Sequence, residues 1–175
     1  VHTLDDFAAY KAFETRPISA AYRGFELVEC PPNGQGLAAL VMARILDGFD
    51  LASPELTQAD RIHLFAEATK AAYRQRDLYI ADPGHMVHSV EELLSETFIA
   101  SLRGQIKLAR ASAVEDFDLP VHRDTVYVTV VDADGNAISL INSVFIAFGS
   151  GIYAPNAGVL LQNRGAGFSL IPDHP

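Results

Sequence analysis

Thr125 is the residue whose position in the sequence points most directly to chemistry. Residues 112–124 lose any periodicity and gather charge, and Thr125 follows them at the start of a β-branched run. If the peptide bond between Asp124 and Thr125 were cut, Thr125 would carry a hydroxyl and a free α-amine. An α-amine has an unperturbed pKa of about 8 and can act as the base for the hydroxyl of its own residue. The same pattern also fits the commoner case of a strand that simply begins with threonine.

Two other groups of residues could in principle bind a ligand. His63 and Glu67 lie four residues apart on a predicted helix and could share a metal, although a packing or surface role for His63 is commoner. Residues 33–36 precede a helix and could hold an anion on their amides, but they lack the lysine and spacing of a phosphate loop. We therefore expect no metal and no cofactor, and we expect this loop to be a tight connection into the helix.

Composition and charge limit the partners of the protein. Its 175 residues suit one domain and include 13 Lys and Arg against 22 Asp and Glu, a formal net charge of −9. Because the basic residues are scattered, we expect neither nucleic acid nor a membrane as a partner. The chain shows no targeting segment, which leaves cytoplasmic, periplasmic and secreted locations open. The single cysteine, Cys30, permits no internal disulfide and no cysteine-based zinc site.

Most of the chain before residue 112 carries helical patterns. Thr3 and Asp6 form the hydroxyl–acid pair that closes a helix N-terminus. Two short extended pieces are predicted between Ile18 and Val28, around a turn at Arg23-Gly24. The predicted helices cover residues 4–13, 37–46 and 57–79, a short one starts at Ser89, and another covers residues 95–111.

The helix predicted between Thr57 and Tyr79 has the clearest periodicity in the chain. Its predicted polar face carries Glu67 and Lys70, which are spaced for a supporting ion pair worth about 0.2–0.5 kcal/mol. The residues predicted to face the core are Ile62, Phe65, Ala66, Thr69, Ala72 and Tyr73.

Strand patterns begin at Thr125. Residues 125–131 are β-branched or aromatic throughout, which predicts a strand with both faces at least partly covered. Residues 134–136 supply a turn, residues 137–144 return as a second strand, and residues 159–161 suggest a third. Helices followed by strands indicate an α+β fold rather than alternating βαβ units.

Short motifs occur in a fixed order along nearly the whole chain. They are Arg16-Pro17-Ile18, Tyr22-Arg23-Gly24, the loop from Pro31-Pro32 to Gly36, the stretch from His63 to Lys70 with Arg76, Tyr79 and Asp82-Pro83, Thr125 to Asp132, Gly135-Asn136-Ala137, Phe148 to Gly151, and Leu160 to Asn163. Together and at this spacing, they resemble the motifs of the γ-glutamyltranspeptidase family of N-terminal nucleophile (Ntn) hydrolases. Members of that family are made as precursors that cut themselves before a threonine.

The resemblance implies a fold and a place for this chain within it. The implied fold is the α+β, αββα sandwich of Ntn hydrolases, with the chain as a fragment spanning the end of the large subunit and the start of the small one. Residues 1–124 would be the mainly helical C-terminal part of the large subunit, and residues 125–175 the N-terminal strands of the small subunit, in one structural domain. The implied partners are the remaining segments of the precursor, or its other subunit, and a small-molecule amide substrate.

The resemblance also implies roles for individual residues. The Thr125 hydroxyl would attack the carbonyl of Asp124 during maturation and later the substrate amide, forming an acyl-enzyme that water or an acceptor amine releases. Ser143 would orient the hydroxyl or amine of Thr125, with Asn142 as an alternative polar contact. The substrate-binding residues implied are Asn142, Asn163 and Arg164.

Several positions depart from the pattern of standard transpeptidases. Val126 and Tyr127 replace a threonine and a histidine, Phe145 replaces an asparagine, and Gly167 replaces the acidic residue that holds the substrate α-ammonium. An ammonium buried without a carboxylate partner is costly, whereas Arg164 offers a cation to an acidic substrate. A surface arginine in a glycine-rich loop is the alternative interpretation.

These observations predict an amide hydrolase or acyltransferase of the γ-glutamyltransferase type, as a divergent member of the family. One alternative is an amidohydrolase or acylase acting on small acidic amides, similar to oxamate amidohydrolase or the cephalosporin acylases. The other alternative is a non-catalytic relative that keeps the fold as a binding module and is never cut.

Overall fold

The computed structural model describes residues 3–113 and 125–172, and the chain forms two compact units. The first unit holds the five α-helices of the described residues. Its elements are α1 (Leu4–Ala9), β1 (Ile18–Tyr22), β2 (Phe25–Glu29), α2 (Gly36–Asp47), α3 (Gln58–Tyr79), α4 (Val90–Leu93) and α5 (Glu96–Gln105). No helix in the two described ranges is both long and apolar enough to cross a bilayer.

Side-chain caps mark the starts of α1, α3, α4 and α5, whereas α2 begins without one. The Thr57 hydroxyl accepts a hydrogen bond from the backbone N–H of Asp60 at 3.1 Å. The Asp60 carboxylate in turn accepts one from the backbone N–H of Thr57 at 2.8 Å, which closes the start of α3. The pair of Thr3 and Asp6 does the same before α1, as the sequence predicted.

Two helices end earlier than the sequence predicted. α1 stops at Ala9 because Tyr10 takes an extended backbone conformation, and none of its residues is buried. α5 stops at Gln105, where Ile106 is likewise extended. Periodicity identified both helices but not their ends, since helix ends depend on tertiary packing.

The face of α3 that packs into the core differs from the predicted one. Ile62 is 61% exposed, and Phe65 and Tyr73 are each 46% exposed, so the prediction for these large side chains was wrong. The buried apolar residues of α3 are Leu64, Ala68 and Ala72, of which Ala68 and Ala72 pack with α2 residues in the core. Small side chains let two helix backbones approach closely, and this contact decides which face is buried.

The remaining core residues of the first unit come mainly from α2 and α5. They are Leu37, Val41, Ile45 and Leu46 of α2, Leu93 of α4, and Ile99 and Leu102 of α5. The hairpin of β1 and β2 also forms as predicted, with the turn residues Arg23 and Gly24 at φ 51° and 81°. Both values lie in the left-handed region that two-residue hairpin turns require.

The second unit consists of strands and one short 3₁₀ helix. β3 (Thr125–Val131) and β4 (Ala137–Ser143) form an antiparallel hairpin, and β5 (Tyr153–Ala154) pairs with β6 (Val159–Leu160). The predicted turn between β3 and β4 is confirmed. The Asp132 carboxylate holds it by accepting the backbone N–H groups of Asp134 and Asn136 at 2.9 and 2.8 Å.

The prediction that both faces of β3 are at least partly covered was wrong, because every residue of this strand is exposed. Residues 125–172 contain no α-helix that could pack on the hairpin. The predicted mixture of helices and strands is confirmed. Within the described residues, the strands form three separate two-stranded sheets.

Candidate functional site

The register of the β3–β4 hairpin brings two hydroxyl groups together. Thr125 and Ser143 are directly opposite each other in the antiparallel pair. Opposite residues project from the same face of a sheet, and the Oγ1 atom of Thr125 donates to the Oγ atom of Ser143 at 3.1 Å. Thr125, the first residue of β3, is exposed to solvent, whereas its hydrogen-bond partner Ser143 is half-buried.

Ser143 is itself fixed by the backbone that follows it. Its Oγ atom accepts the backbone N–H of Phe145 at 3.0 Å. A hydroxyl has two acceptor positions and one proton. The bonds from Thr125 and Phe145 therefore occupy both acceptor positions, and the Ser143 proton points elsewhere. The Phe145 N–H fixes the Ser143 hydroxyl, and the Ser143 hydroxyl in turn orients that of Thr125.

Phe145 leaves the hairpin in an uncommon backbone conformation. Its φ is 80°, which is unfavourable for a residue with a large side chain. The next backbone N–H, that of Ile146, donates to the Oδ1 atom of Asn163 at 3.0 Å. Asn163 returns a bond from its own N–H to the carbonyl of Val144 at 3.2 Å. These bonds hold the turn beside Ser143 in place.

Arg164 contacts the same turn through the ring of Phe145. Its guanidinium carbon lies 4.8 Å from the ring centroid, within the range of a cation–π interaction. Stacking engages the flat face of a guanidinium and not the N–H edges that bind a carboxylate. Arg164 is exposed and begins the 3₁₀ helix Arg164–Gly167. The cation is thus oriented by an aromatic side chain that is linked to Ser143.

The structure therefore connects four residues: Thr125, Ser143, Phe145 and Arg164. In the sequence, Phe145 is only a departure from the family pattern, because neither its backbone conformation nor its ring contact with Arg164 has a local sequence signal. Asn142 pairs with Val126, so it projects from the hairpin face opposite to that of Thr125. The Asp124 side of the predicted cleavage site lies outside the described residues.

The two groups considered as ligand sites have other contacts. The Nε2 atom of His63 donates to the carbonyl of Lys107 at 3.0 Å, and Glu67 forms an ion pair with Lys70. A Cβ atom at Gly36 would lie 2.6 Å from the carbonyl oxygen of Cys30, so the loop approaches the helix closely, as expected. Within residues 3–113 and 125–172, no group of three or more His, Cys, Asp or Glu side chains is placed to hold a metal.

The fold as a whole is similar to that of a solved acylase. The crystal structure of cephalosporin acylase from Bacillus halodurans matches 97% of this chain with a TM-score of 0.83 and 39% sequence identity. The match covers 30% of the acylase chain. A γ-glutamyltranspeptidase from Pseudomonas nitroreducens, at 28% identity, matches 63% of this chain with a TM-score of 0.57.

Sequence comparison identifies the family. Residues 1–174 match the family described as Gamma-glutamyltranspeptidase, and the chain belongs to this family. It is 37% identical over 172 residues to the glutathione hydrolase-like YwrD proenzyme of Bacillus subtilis (strain 168), and the match covers 98% of this chain. The oxamate amidohydrolase proenzyme of Klebsiella pneumoniae gives the same identity and the same coverage. In each case the chain spans 32% of the relative's length.

Proposed function

We propose that this chain supplies the nucleophile of an amide hydrolase, and that Thr125 becomes that nucleophile when the Asp124–Thr125 bond is cut. The observation that carries the proposal is the 3.1 Å contact between the hydroxyls of Thr125 and Ser143 at the first residue of β3. The naming of both 37% identical relatives as proenzymes supports it.

Maturation would begin with attack of the Thr125 hydroxyl oxygen on the carbonyl carbon of Asp124. The C–N bond breaks, and the hydroxyl proton passes to the nitrogen, which becomes the α-amine of Thr125. Water then cleaves the resulting ester and leaves a carboxylate on Asp124. Thr125 is thereby left with a free hydroxyl and a free amine on one residue.

Turnover would use the same hydroxyl a second time. The α-amine takes the proton of the Thr125 hydroxyl as its oxygen attacks the substrate amide, and it returns the proton to the leaving amine. In the cut protein, the Thr125 hydroxyl would turn its single proton from Ser143 to the new amine, and Ser143, fixed by the N–H of Phe145, would donate its own proton to the Thr125 oxygen and keep it oriented during the attack. Water releases the acyl group in hydrolysis, and an acceptor amine releases it in transfer.

The subunit assignment is part of the same proposal. Residues 1–124 would belong to the large subunit and residues 125–175 to the small one, within an αββα sandwich completed by other segments of the precursor. The likeness to the cephalosporin acylase structure over 97% of this chain supports a common fold.

The substrate class we propose is a small amide whose acyl group carries a carboxylate. Arg164, stacked on Phe145, provides the cation, and Gly167 provides no carboxylate for an α-ammonium. The similarity to the oxamate amidohydrolase proenzyme supports this choice. The second candidate is γ-glutamyl hydrolysis, which is favoured by 35% identity over 179 residues to the glutathione hydrolase proenzyme of Escherichia coli.

Restoring an acid at position 167 tests the substrate class. A Cβ atom at Gly167 would lie 3.5 Å from the ring of Phe145, an ordinary contact, so Gly167→Asp is sterically acceptable. A new charge-assisted hydrogen bond to the α-ammonium is expected to raise kcat/KM for γ-glutamyl-p-nitroanilide by about tenfold relative to oxamate. Both rates are measured on the full-length precursor after maturation.

Gly165→Asp is the matched control, since it adds the same charge to the same 3₁₀ helix in open space. It is expected to change the ratio of the two rates by less than twofold. If the wild-type protein already turns over γ-glutamyl-p-nitroanilide much faster than oxamate, the proposed substrate class is wrong.

A further inference from the structure

The side chain of Asn163 binds a backbone group far from it in the sequence. Asn163 directly precedes the 3₁₀ helix Arg164–Gly167, a position at which asparagine side chains often cap a helix. Its side chain makes no cap bond to this helix. The Oδ1 atom instead accepts the backbone N–H of Ile146, 17 positions earlier, at 3.0 Å. The side chain of Asn163 therefore holds the turn that follows β4 and not its own helix.

Asn163 binds the two peptide groups on either side of Phe145. Its backbone N–H donates to the carbonyl of Val144 at 3.2 Å, and this carbonyl shares a peptide group with the N–H of Phe145. Its side chain binds the N–H of Ile146, which belongs to the next peptide group. The φ and ψ angles of Phe145 relate these two groups, so the two bonds together maintain its φ of 80°.

The first of these peptide groups also holds Ser143. Because a peptide group is planar, fixing its carbonyl fixes the direction of its N–H as well. That N–H, of Phe145, donates to the Oγ atom of Ser143 at 3.0 Å, and the same Oγ atom accepts the Thr125 hydroxyl at 3.1 Å. A chain of hydrogen bonds thus connects Asn163 with the Thr125 hydroxyl through this peptide group and Ser143. All of these residues lie in the second unit.

We propose that Asn163 is a positioning residue for both reactions of Thr125, in place of the substrate-binding role that the resemblance implied. This inference rests on the proposed function. Without the Oδ1 acceptor, Phe145 relaxes towards an ordinary negative φ, which turns its N–H away from Ser143. No substrate is present during self-cleavage. A positioning role therefore affects the rate of cleavage, whereas a substrate contact affects turnover alone.

The test is a time course of cleavage of the full-length precursor, made in a cell-free reaction and followed by intact-protein mass spectrometry. Asn163→Ala is expected to slow cleavage about three- to tenfold, the range that corresponds to the loss of one hydrogen bond. The kcat for oxamate per cleaved molecule is expected to fall by a similar factor, because Ser143 serves both reactions.

Asn163→Asp tests which atom of the side chain is required. A carboxylate oxygen can still accept the N–H of Ile146, so cleavage in this variant is expected to stay within twofold of the wild-type rate. The comparison uses cleavage and not turnover, because the added charge beside Arg164 affects the binding of an acidic substrate. Cleavage as slow as in Asn163→Ala would overturn the inference.

Ser150→Ala is the matched control for stability. The Ser150 hydroxyl also joins the chain after β4 to the segment before the 3₁₀ helix, since it donates to the carbonyl of Leu161 at 2.8 Å. It does not bind either peptide group of Phe145. Cleavage in Ser150→Ala is expected to stay within twofold of the wild type. Equal losses in Ser150→Ala and Asn163→Ala, with equal falls in melting temperature, would mean that Asn163 only stabilises the loop, and would overturn the inference.

A double variant tests whether Asn163 acts through Ser143. Because the two residues act in series, Asn163→Ala is expected to slow cleavage of a Ser143→Ala precursor by less than twofold. A multiplied loss in the double variant overturns the inference. Wild-type cleavage in Asn163→Ala, with a lower kcat/KM for oxamate, also overturns it, identifies a substrate contact and leaves the proposed function standing. A wild-type precursor that is never cut overturns both proposals.

Discussion

Thr125→Ala is expected to leave the precursor uncut and to lower amide hydrolysis by about 10³-fold or more. Alanine has no oxygen to attack either the Asp124 carbonyl or the substrate amide, so both steps lose their nucleophile. The loss is measured as product release from oxamate, together with the intact mass of the purified protein.

Two variants make this result specific to the hydroxyl. Thr125→Ser keeps an oxygen in the same place and is expected to retain cleavage and measurable turnover. Thr129→Ala removes a hydroxyl from the same face of β3, four residue pairs further along the hairpin, and is expected to change turnover by less than twofold. Hydrolysis by Thr125→Ala at more than a tenth of the wild-type rate would show that another group is the nucleophile.

Ser143→Ala is expected to lower kcat/KM by about 10- to 100-fold without preventing folding. The variant removes the partner of the Thr125 hydroxyl and leaves the backbone N–H of Phe145 without its acceptor. A hydrogen bond to an oxygen that becomes charged during the reaction is worth about 1.5–3 kcal/mol, which corresponds to this range of rates.

Ser139→Ala is the matched control for Ser143→Ala. Ser139 also lies on β4 on the same face, but its hydroxyl donates to the hydroxyl of Tyr127 at 2.9 Å and not to Thr125. Turnover in this variant is expected to stay within twofold of the wild type, with a similar melting temperature. Equal losses in the two serine variants would mean that Ser143 acts only through the stability of the hairpin.

Much of the local structure was predictable because its signals are local. A hydroxyl and an acid three residues apart identified the start of α1, and the turns at Arg23-Gly24 and residues 134–136 formed where their residue types require them. The turn after β3 also sets the register, and the register places Thr125 opposite Ser143. The contact between the two hydroxyls therefore follows from short-range features.

Long-range contacts were not predictable in the same way. Glu67 was assigned to the polar face of α3 as the partner of Lys70, yet it is buried and binds the backbone N–H of Ser112, 45 positions away. Similarly, the left-handed conformation of Phe145 depends on the bond that Asn163 makes to the following residue. Periodicity along one helix or strand contains no information about such partners.

N-terminal sequencing of the active protein tests the nucleophile assignment most directly. The expected result is a new N-terminus that reads Thr125-Val126-Tyr127, present in proportion to amide hydrolase activity. An active protein whose chain is intact across Asp124–Thr125, or whose new N-terminus lies elsewhere, would contradict the proposal that the amine of Thr125 activates its own hydroxyl.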